Sequence, residues 1–570
     1  MLLRVGSLYR TLLVCLASLV LISSSIAVRA QAYIGRPKLV VVIVIDQFRG
    51  DYLNRERAQF RNRGFKLFMD QGAWFTDCYY DYANTKTAPG HATIGTGAYS
   101  DGHGIESNEW WDASRSDVKK VTSVEDERYQ LVDIPASSIP ANAARFLTGA
   151  SPLNLRASTL GDELRLATQG KAKVFGISLK DRAAILPPGQ SANGAFWIDQ
   201  SSGQFTTSTY YMEHLPEWAR QFNSSDRIAQ AEREASAVGT NKFFDAVGRT
   251  PAANSYEFDF AKALIKGENL GERGVTDLLT ISLSANDIQG HKFGPDSDSE
   301  NQMILALDTQ FDQFFTWLDQ NIGLNNLWLA LSADHGIAPI ADEVAKLGMN
   351  SAMLTMAKVY PRLEEELNKR HSPGAQVQYL MPGPELPYIN LNKHAFEKVH
   401  ISEQAAEEEV VSLLPEAVAA QNPAPLPAIK TGQPDQTAPS QHRLPPAPQF
   451  AGAYTRLQMA YGQLPQTEMG RELAHSYAYH GNWFVMLLLG GYQMEDIRSY
   501  GGTTHFSPWS YDRHVPLAFY GTPFVPGEYH ERVAPVDLAT TFAAELGINF
   551  PSAAIGRVLT QALEPEHSKH

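Results

Sequence analysis

The sequence predicts a doubly wound, mostly parallel α/β sheet with helices on both faces and inserted cap subdomains, and three observations lead there. Four apolar runs rich in β-branched residues end abruptly in polar residues: Leu39–Ile45 before Asp46, Val174–Leu179 before Lys180, Leu278–Leu283 before Asp287, and Leu327–Leu331 before Asp334. Continuous apolar runs mark strands buried on both faces. Segments with helical spacing lie between them, such as Glu300–Asn321 with its Ile304, Leu307, Phe311, Phe314 and Leu318 stripe, so helix and strand alternate. The 570 residues, 44% apolar and 19% charged, exceed what one such sheet needs. The surplus is expected as insertions near 112–275 and 340–480 of a domain spanning 31–570.

Residues 1–30 stand apart from this pattern. Arg4 and Arg10 precede an apolar stretch from Leu12 to Ile22, and Val28-Arg29-Ala30 offers small residues at its end. This is a secretory signal peptide pattern, with cleavage expected after Ala30 and a periplasmic or secreted mature chain. The apolar stretch is too short for a membrane span, which needs about 20 residues. Cleavage removes Cys15 and three arginines, so the formal charge moves from −14 to −14 − 3 = −17 and Cys78 is left alone. No intramolecular disulfide is then possible. Such acidity argues against nucleic acid or an anionic membrane surface as partner and favours a small molecule.

Later elements follow the same logic. Glu403–Ala420 is acidic and Ala-rich and reads as a helix of an inserted subdomain. Residues 420–450 hold eight prolines with Ala, Gln and Ser, the composition of a flexible surface insertion. Trp483–Leu489 resumes the strand pattern, and Val515–Tyr520 forms another apolar strand.

Chemistry concentrates at the strand exits, where parallel sheets place their ligands. Asp287 and His291 stand four residues apart after one strand, and Asp334-His335 follows another. Carboxylate with imidazole suits zinc better than magnesium or calcium, which prefer all-oxygen shells. Each pair alone fits a helix N-cap beside a structural histidine equally well; convergence on one sheet edge is what distinguishes the metal reading. Thr87 stands just ahead of Ala88-Pro89-Gly90 and a run, Ala92–Gly97, that can start a helix, so its hydroxyl is either an N-cap or a nucleophile awaiting a metal or base.

Seven segments together resemble the alkaline phosphatase superfamily, and within it the PafA-type bacterial alkaline phosphatases, relatives of the type I phosphodiesterase/nucleotide pyrophosphatases. They are VVIVIDQFRGDYL around Asp46, NTKTAPGHATIGTG around Thr87, ESNEWW around Asn108, SLKDRAAILPPG around Lys180, SANDIQGHKFGP around Asp287, LSADHGIAP around Asp334, and GGTTHFSPWSYDRHVPLAFYG around His505. The resemblance implies two Zn²⁺ ions, one held by Asp287, His291 and His505, the other by Asp46, Asp334, His335 and the Thr87 oxygen. It further implies that Thr87 attacks phosphorus to form a phosphothreonine that water then hydrolyses, releasing phosphate from small-molecule phosphate monoesters. Asn108, Lys180 and Arg182 are assigned to the remaining phosphoryl oxygens. In an extended Lys180-Asp181-Arg182 segment both cations would point the same way and favour a dianionic monoester.

Two departures stand out. Phe506 follows His505 where relatives often carry glycine, and His514 lies close enough in sequence to rival His505. His91, His103 and His480 read as supporting or surface groups. A phosphodiesterase on the same fold would need Lys180 and Arg182 turned away. A sulfatase would need a Cys/Ser-x-Pro-x-Arg element where this chain has Thr87-Ala-Pro-Gly-His91. A non-catalytic metal or phosphate binder would have lost a ligand or the nucleophile.

Overall fold

A computed structural model of the chain describes residues 36–113, 118–134, 148–236, 242–383, 386–421, 447–497 and 501–564. The expected signal peptide at 1–30 and most of the proline-rich segment at 420–450 lie outside the described residues. Among those described, the central sheet has nine strands: β1 (Leu39–Ile45), β2 (Ala73–Phe75), β3 (Val174–Ser178), β4 (Gly194–Ile198), β5 (Phe205–Thr206), β6 (Asp277–Leu283), β7 (Leu327–Ser332), β8 (Leu517–Tyr520) and β9 (Gly527–Tyr529). Their order is β9-β2-β8-β7-β1-β6-β3-β4-β5. The run β7-β1-β6-β3-β4 is parallel, and β8 joins it antiparallel to β7.

Register decides what emerges where. Ile45 pairs with Leu283, Val44 with Ser332 and Ser178 with Ser282, so the carboxyl ends of β1, β6, β7 and β3 are level. Asp46, Ser284, Ala333 and Leu179 therefore leave the sheet side by side. All seven residues of β1 are at most 2% exposed, which explains why Val and Ile fill both its faces.

The helices that matter to the site are α1 (Thr87–Thr96), α2 (Asp181–Ile185), α3 (Pro251–Glu268), α4 (Ala285–Phe293) and α5 (Asp298–Asn321). In α5 the stripe of Ile304, Leu307, Phe311, Phe314 and Leu318 is buried, and the Ser297 hydroxyl caps the start by accepting from the Glu300 amide at 3.1 Å. Helix α1 begins at Thr87 rather than in the Ala92–Gly97 run. Pro89 fits its first turn because an amide there has no intrahelical acceptor to lose.

A second apolar core, with residues from Leu354 to Leu489, belongs to an inserted subdomain. It contains the helix Glu403–Ala419 and a three-stranded antiparallel sheet of Tyr388–Leu391, Trp483–Leu489 and Phe450–Thr455. Trp483–Leu489 thus joins the insertion and not the central sheet. Cys78 is buried and free, and burial pushes its thiol pKa up. Among the described residues no helix is long and apolar enough to cross a membrane.

Candidate active site

Asp46 follows β1 directly, Asp334 and His335 lie just beyond β7, and Asp287 sits in the first turn of α4 after β6. His505 reaches them from the loop ahead of β8. Metal-ligating atoms of Asp287, His335 and His505 lie within 4.8 Å of one another, as do those of Asp46, Asp334 and His335. His291 joins the first group, with its Nε2 at 3.2 Å from Asp287 Oδ1, because residues i and i+4 share a helix face.

The histidines are held in one common manner. His335 Nδ1 faces the Gly336 carbonyl at 2.9 Å, His291 Nδ1 the Thr503 carbonyl at 2.9 Å, and His505 Nδ1 the Thr85 carbonyl at 2.5 Å. Each Nε2 is thereby turned toward the carboxylates, the arrangement by which backbone carbonyls orient metal-binding imidazoles. Burial lowers the His335 pKa, and burial together with the other two imidazoles lowers that of His505, so both stay neutral with a lone pair to give.

Lys180, at the end of β3, donates to Asp46 Oδ2 at 2.6 Å and to Asp287 Oδ2 at 2.5 Å. Burial pulls the Asp287 carboxyl up, but Lys180 and His291 outweigh it and hold the group well below the usual range. Asp46 goes the other way, raised by its burial and by Asp287 and Asp334. Of three buried carboxylates, two thus share one ammonium and Asp334 has none, so the cluster lacks positive charge. Asp46 Oδ1 and His335 Nε2 face each other at 3.5 Å, fully buried, and neither makes a hydrogen bond. Unsatisfied buried acceptors carry a large penalty, which a cation between them removes. The donor set of carboxylates and neutral imidazoles therefore fits a divalent metal.

The start of helix α1 packs against this cluster. His91 Nδ1 lies 2.8 Å from the Thr87 carbonyl and 3.1 Å from Asp334 Oδ2, while its Nε2 meets Ser282 Oγ at 2.7 Å, tying α1 to the exits of β7 and β6. Thr87 is the first residue of α1 and Lys86 its cap, so Thr87 is not itself the N-cap. Asn108 Oδ1 accepts the Ala88 amide at 2.8 Å, which leaves the amide NH₂ of that side chain for another partner.

Arg182 departs from expectation. Lys180 is extended, but Asp181 begins α2, so Arg182 turns with the helix instead of alternating with Lys180. Its guanidinium lies 3.6 Å from Asp181 Oδ1 and is partly exposed. His514 is occupied elsewhere, with Nε2 at 3.0 Å from the Thr76 carbonyl and its ring stacked on Tyr79. His103, pushed to about 3 by burial, and His480, pushed to about 4, bond with Thr93 and the Gly104 carbonyl respectively.

Gln47 is the contributor that reading the sequence missed. Its amide donates to Asp334 Oδ1 at 3.0 Å and its Nε2 to Asp287 Oδ1 at 2.7 Å, linking the two aspartates from a left-handed backbone at φ 65°. The one signal was its position directly after a strand-exit aspartate.

A level parallel sheet with an acid-histidine cluster at its carboxyl edge and the start of a helix beside it is an α/β site with the donor set of a divalent metal. The sequence matches the type I phosphodiesterase / nucleotide pyrophosphatase family over residues 40–453, and the chain belongs to that family. Among curated relatives it is 31% identical to alkaline phosphatase PhoV of Synechococcus elongatus, over 93% of this chain and 94% of the relative. It is also 30% identical to a protein of Myroides odoratus named calcium-transporting ATPase, over 95% and 97%. The crystal structure of wild-type alkaline phosphatase PafA superposes with a TM-score of 0.78 at 28% identity, covering 93% of this chain and all of that one. The protein is an enzyme of the PafA-type alkaline phosphatase kind.

Proposed function

We propose that the protein hydrolyses phosphate monoesters of small molecules at a two-zinc centre through a phosphothreonine on Thr87. The observation that carries this reading is the buried convergence of Asp46, Asp287, Asp334, His335 and His505, short of positive charge, at the N-terminus of the Thr87 helix. Asp287, His291 and His505 would hold one ion, and Asp46, Asp334, His335 and Thr87 the other. Bound there, the ions supply the positive charge that makes the hydroxyl acidic and stabilises the leaving oxygen.

The chain's own groups do the rest. Thr87 Oγ1 attacks phosphorus in line, the ester oxygen departs with the alcohol, and water later cleaves the Thr87–phosphate bond to release inorganic phosphate. The Asn108 NH₂, whose amide oxygen is held by the Ala88 N–H, faces the transferred group's oxygens. Lys180, one of whose carboxylate partners sits in each metal group, provides a cation for the dianion, and Arg182 a second from the start of α2. Export of the mature enzyme from residue 31 onward follows from the N-terminal pattern.

A second reading, phosphodiester hydrolysis on the same fold, needs both Lys180 and Arg182 turned away; Lys180 meets the cluster carboxylates, while Arg182 pairs with Asp181 at 3.6 Å. Metal-occupancy measurement combined with rates for an aryl phosphate monoester and a methyl aryl diester decides between them. Two zinc ions per chain with monoester preference is the expected result. Diester preference, or full activity of metal-free protein, overturns the proposal.

A further inference from the structure

The segment that carries His505 is fastened on both sides of the site. On the α4 side the His291 carbonyl accepts the Gly502 and Thr503 amides at 2.6 and 3.1 Å, and His291 Nδ1 faces the Thr503 carbonyl. On the α1 side the bonds run to one residue, Thr85, which is fully buried. Its carbonyl meets His505 Nδ1, its Oγ1 accepts the Phe506 and Ser507 amides at 3.2 and 3.1 Å, and its hydroxyl donates to the Ser507 carbonyl at 3.2 Å. A hydroxyl has one proton to give and two lone pairs to fill, so residues 506 and 507 take up the whole bonding capacity of Thr85 Oγ1.

The backbone held by that hydroxyl is strained. Phe506 has φ +94°, a region that glycine enters freely and a bulky residue only where its surroundings hold it. The Ser507 amide has a second acceptor in Asp512 Oδ2 at 3.1 Å, whereas the Phe506 amide depends on Thr85 Oγ1. Thr85 also stands two residues ahead of Thr87, with Lys86, the cap of α1, between them. The residue that fixes a histidine of one candidate metal group therefore leads straight into the hydroxyl assigned to the other. We propose that Thr85 is a positioning residue, whose hydroxyl holds the strained turn at 505–507 so that His505 joins Asp287 and His291 in register with Thr87. The proposal rests on the two-zinc reading above.

The test reads zinc affinity rather than turnover, by chelator competition on the zinc-loaded protein. Thr85→Val keeps the branched shape and removes the hydroxyl, and it should hold one of the two zinc ions roughly 10–100-fold more weakly, the scale on which losing an orienting partner weakens a metal site. Thr85→Ser keeps the hydroxyl and should hold both ions as the wild type does. Adding Phe506→Gly to Thr85→Val should restore most of the lost affinity, because glycine takes φ +94° without a hydroxyl to hold it there. A threonine that merely fills space gives no such rescue. Thr85→Ala, which sets no methyl group against the two amides, serves for the same comparison if the valine variant does not fold. Unchanged affinity without the hydroxyl, an equal loss in Thr85→Ser, or no rescue by Phe506→Gly overturns the proposal. Wild-type protein that binds fewer than two zinc ions refutes the two-zinc reading itself, a separate outcome visible before any variant is made.

Discussion

Gly90, in the first turn of α1, is where the nucleophile helix and the metal-site strand come closest. A Cβ on Gly90 would lie 2.2 Å from the Asp334 carbonyl oxygen and 2.7 Å from Asp334 Cβ. Ordinary contact starts at 3.4 Å, so relief needs about 3.4 − 2.2 = 1.2 Å of separation. Neither partner is a flexible side-chain tip. Asp334 O is backbone just beyond β7, in a segment also held by the Tyr80 hydroxyl donating to Ala333 O at 2.9 Å and by His91 against Asp334 Oδ2. Gly90→Ala must therefore push α1 outward, carrying Thr87 with it. Overpacking of this kind costs about 1–3 kcal/mol of stability, and an ångström of misplacement at a reacting atom costs about 10²-fold in rate. The assay is kcat/KM on an aryl phosphate monoester beside thermal unfolding, with Gly274→Ala as control. Gly274 has φ +73° but nothing within 4 Å of the place a methyl group would take, so its alanine should lower stability by about 1–2 kcal/mol and leave turnover alone. Wild-type turnover in Gly90→Ala, or an equal loss in Gly274→Ala, would refute the reasoning.

Further outcomes follow from the same geometry. Thr87→Ala should abolish turnover and the acid-stable phosphoenzyme, with Thr87→Ser retaining part of both; unchanged turnover in the alanine variant removes Thr87 as nucleophile. Chelation should abolish activity and zinc restore it, whereas recovery with calcium alone contradicts the carboxylate-imidazole donor set. Lys180→Met should destabilise the chelated protein by about 3–5 kcal/mol in denaturant titrations, because Asp46 and Asp287 lose the ammonium between them; zinc should recover most of this. In the insertion, burial lifts the Glu407 carboxyl from 4.5 to about 8. The folded state then holds this proton more tightly than the unfolded chain, so the contribution is full below pH 4.5 and lost as pH rises through 8. Melting temperature should fall across that window, and Glu407→Gln should flatten the slope.

What could be read from the sequence, and what could not, divides along physical lines. The runs before Asp46, Lys180, Asp287 and Asp334 were legible because burial on both faces leaves an unbroken apolar signature, and a parallel sheet with level strand ends must bring the exits together. Trp483–Leu489 carries the same signature for a different reason. Its Trp483, Val485, Leu487 and Leu489 enter one apolar cluster, while Phe484, Met486 and Leu488 enter another, so an antiparallel strand of the insertion looks like a central parallel one. Strands β2 and β9 are three residues each, too short for any period to show. The direction of Arg182 was not legible, because one residue of extended chain at Lys180 does not announce that Asp181 starts a helix.

The deeper limit lies in the partners. Gln47 holds Asp287 across 240 positions and Asp334 across 287, and Lys180 holds Asp46 across 134 and Asp287 across 107. No local pattern encodes such pairings, because they exist only once the sheet is assembled. They also explain how a chain with a net charge of −14 can gather three carboxylates in its interior. One lysine bridges two of them, one glutamine ties two through its backbone and side-chain amides, and one histidine backs the third. Since Lys180 spans both candidate metal groups, any cation that neutralises Asp46 or Asp287 weakens its hold on that ammonium. A metal that completes the site would thus release toward the substrate the positive charge that a phosphate dianion needs.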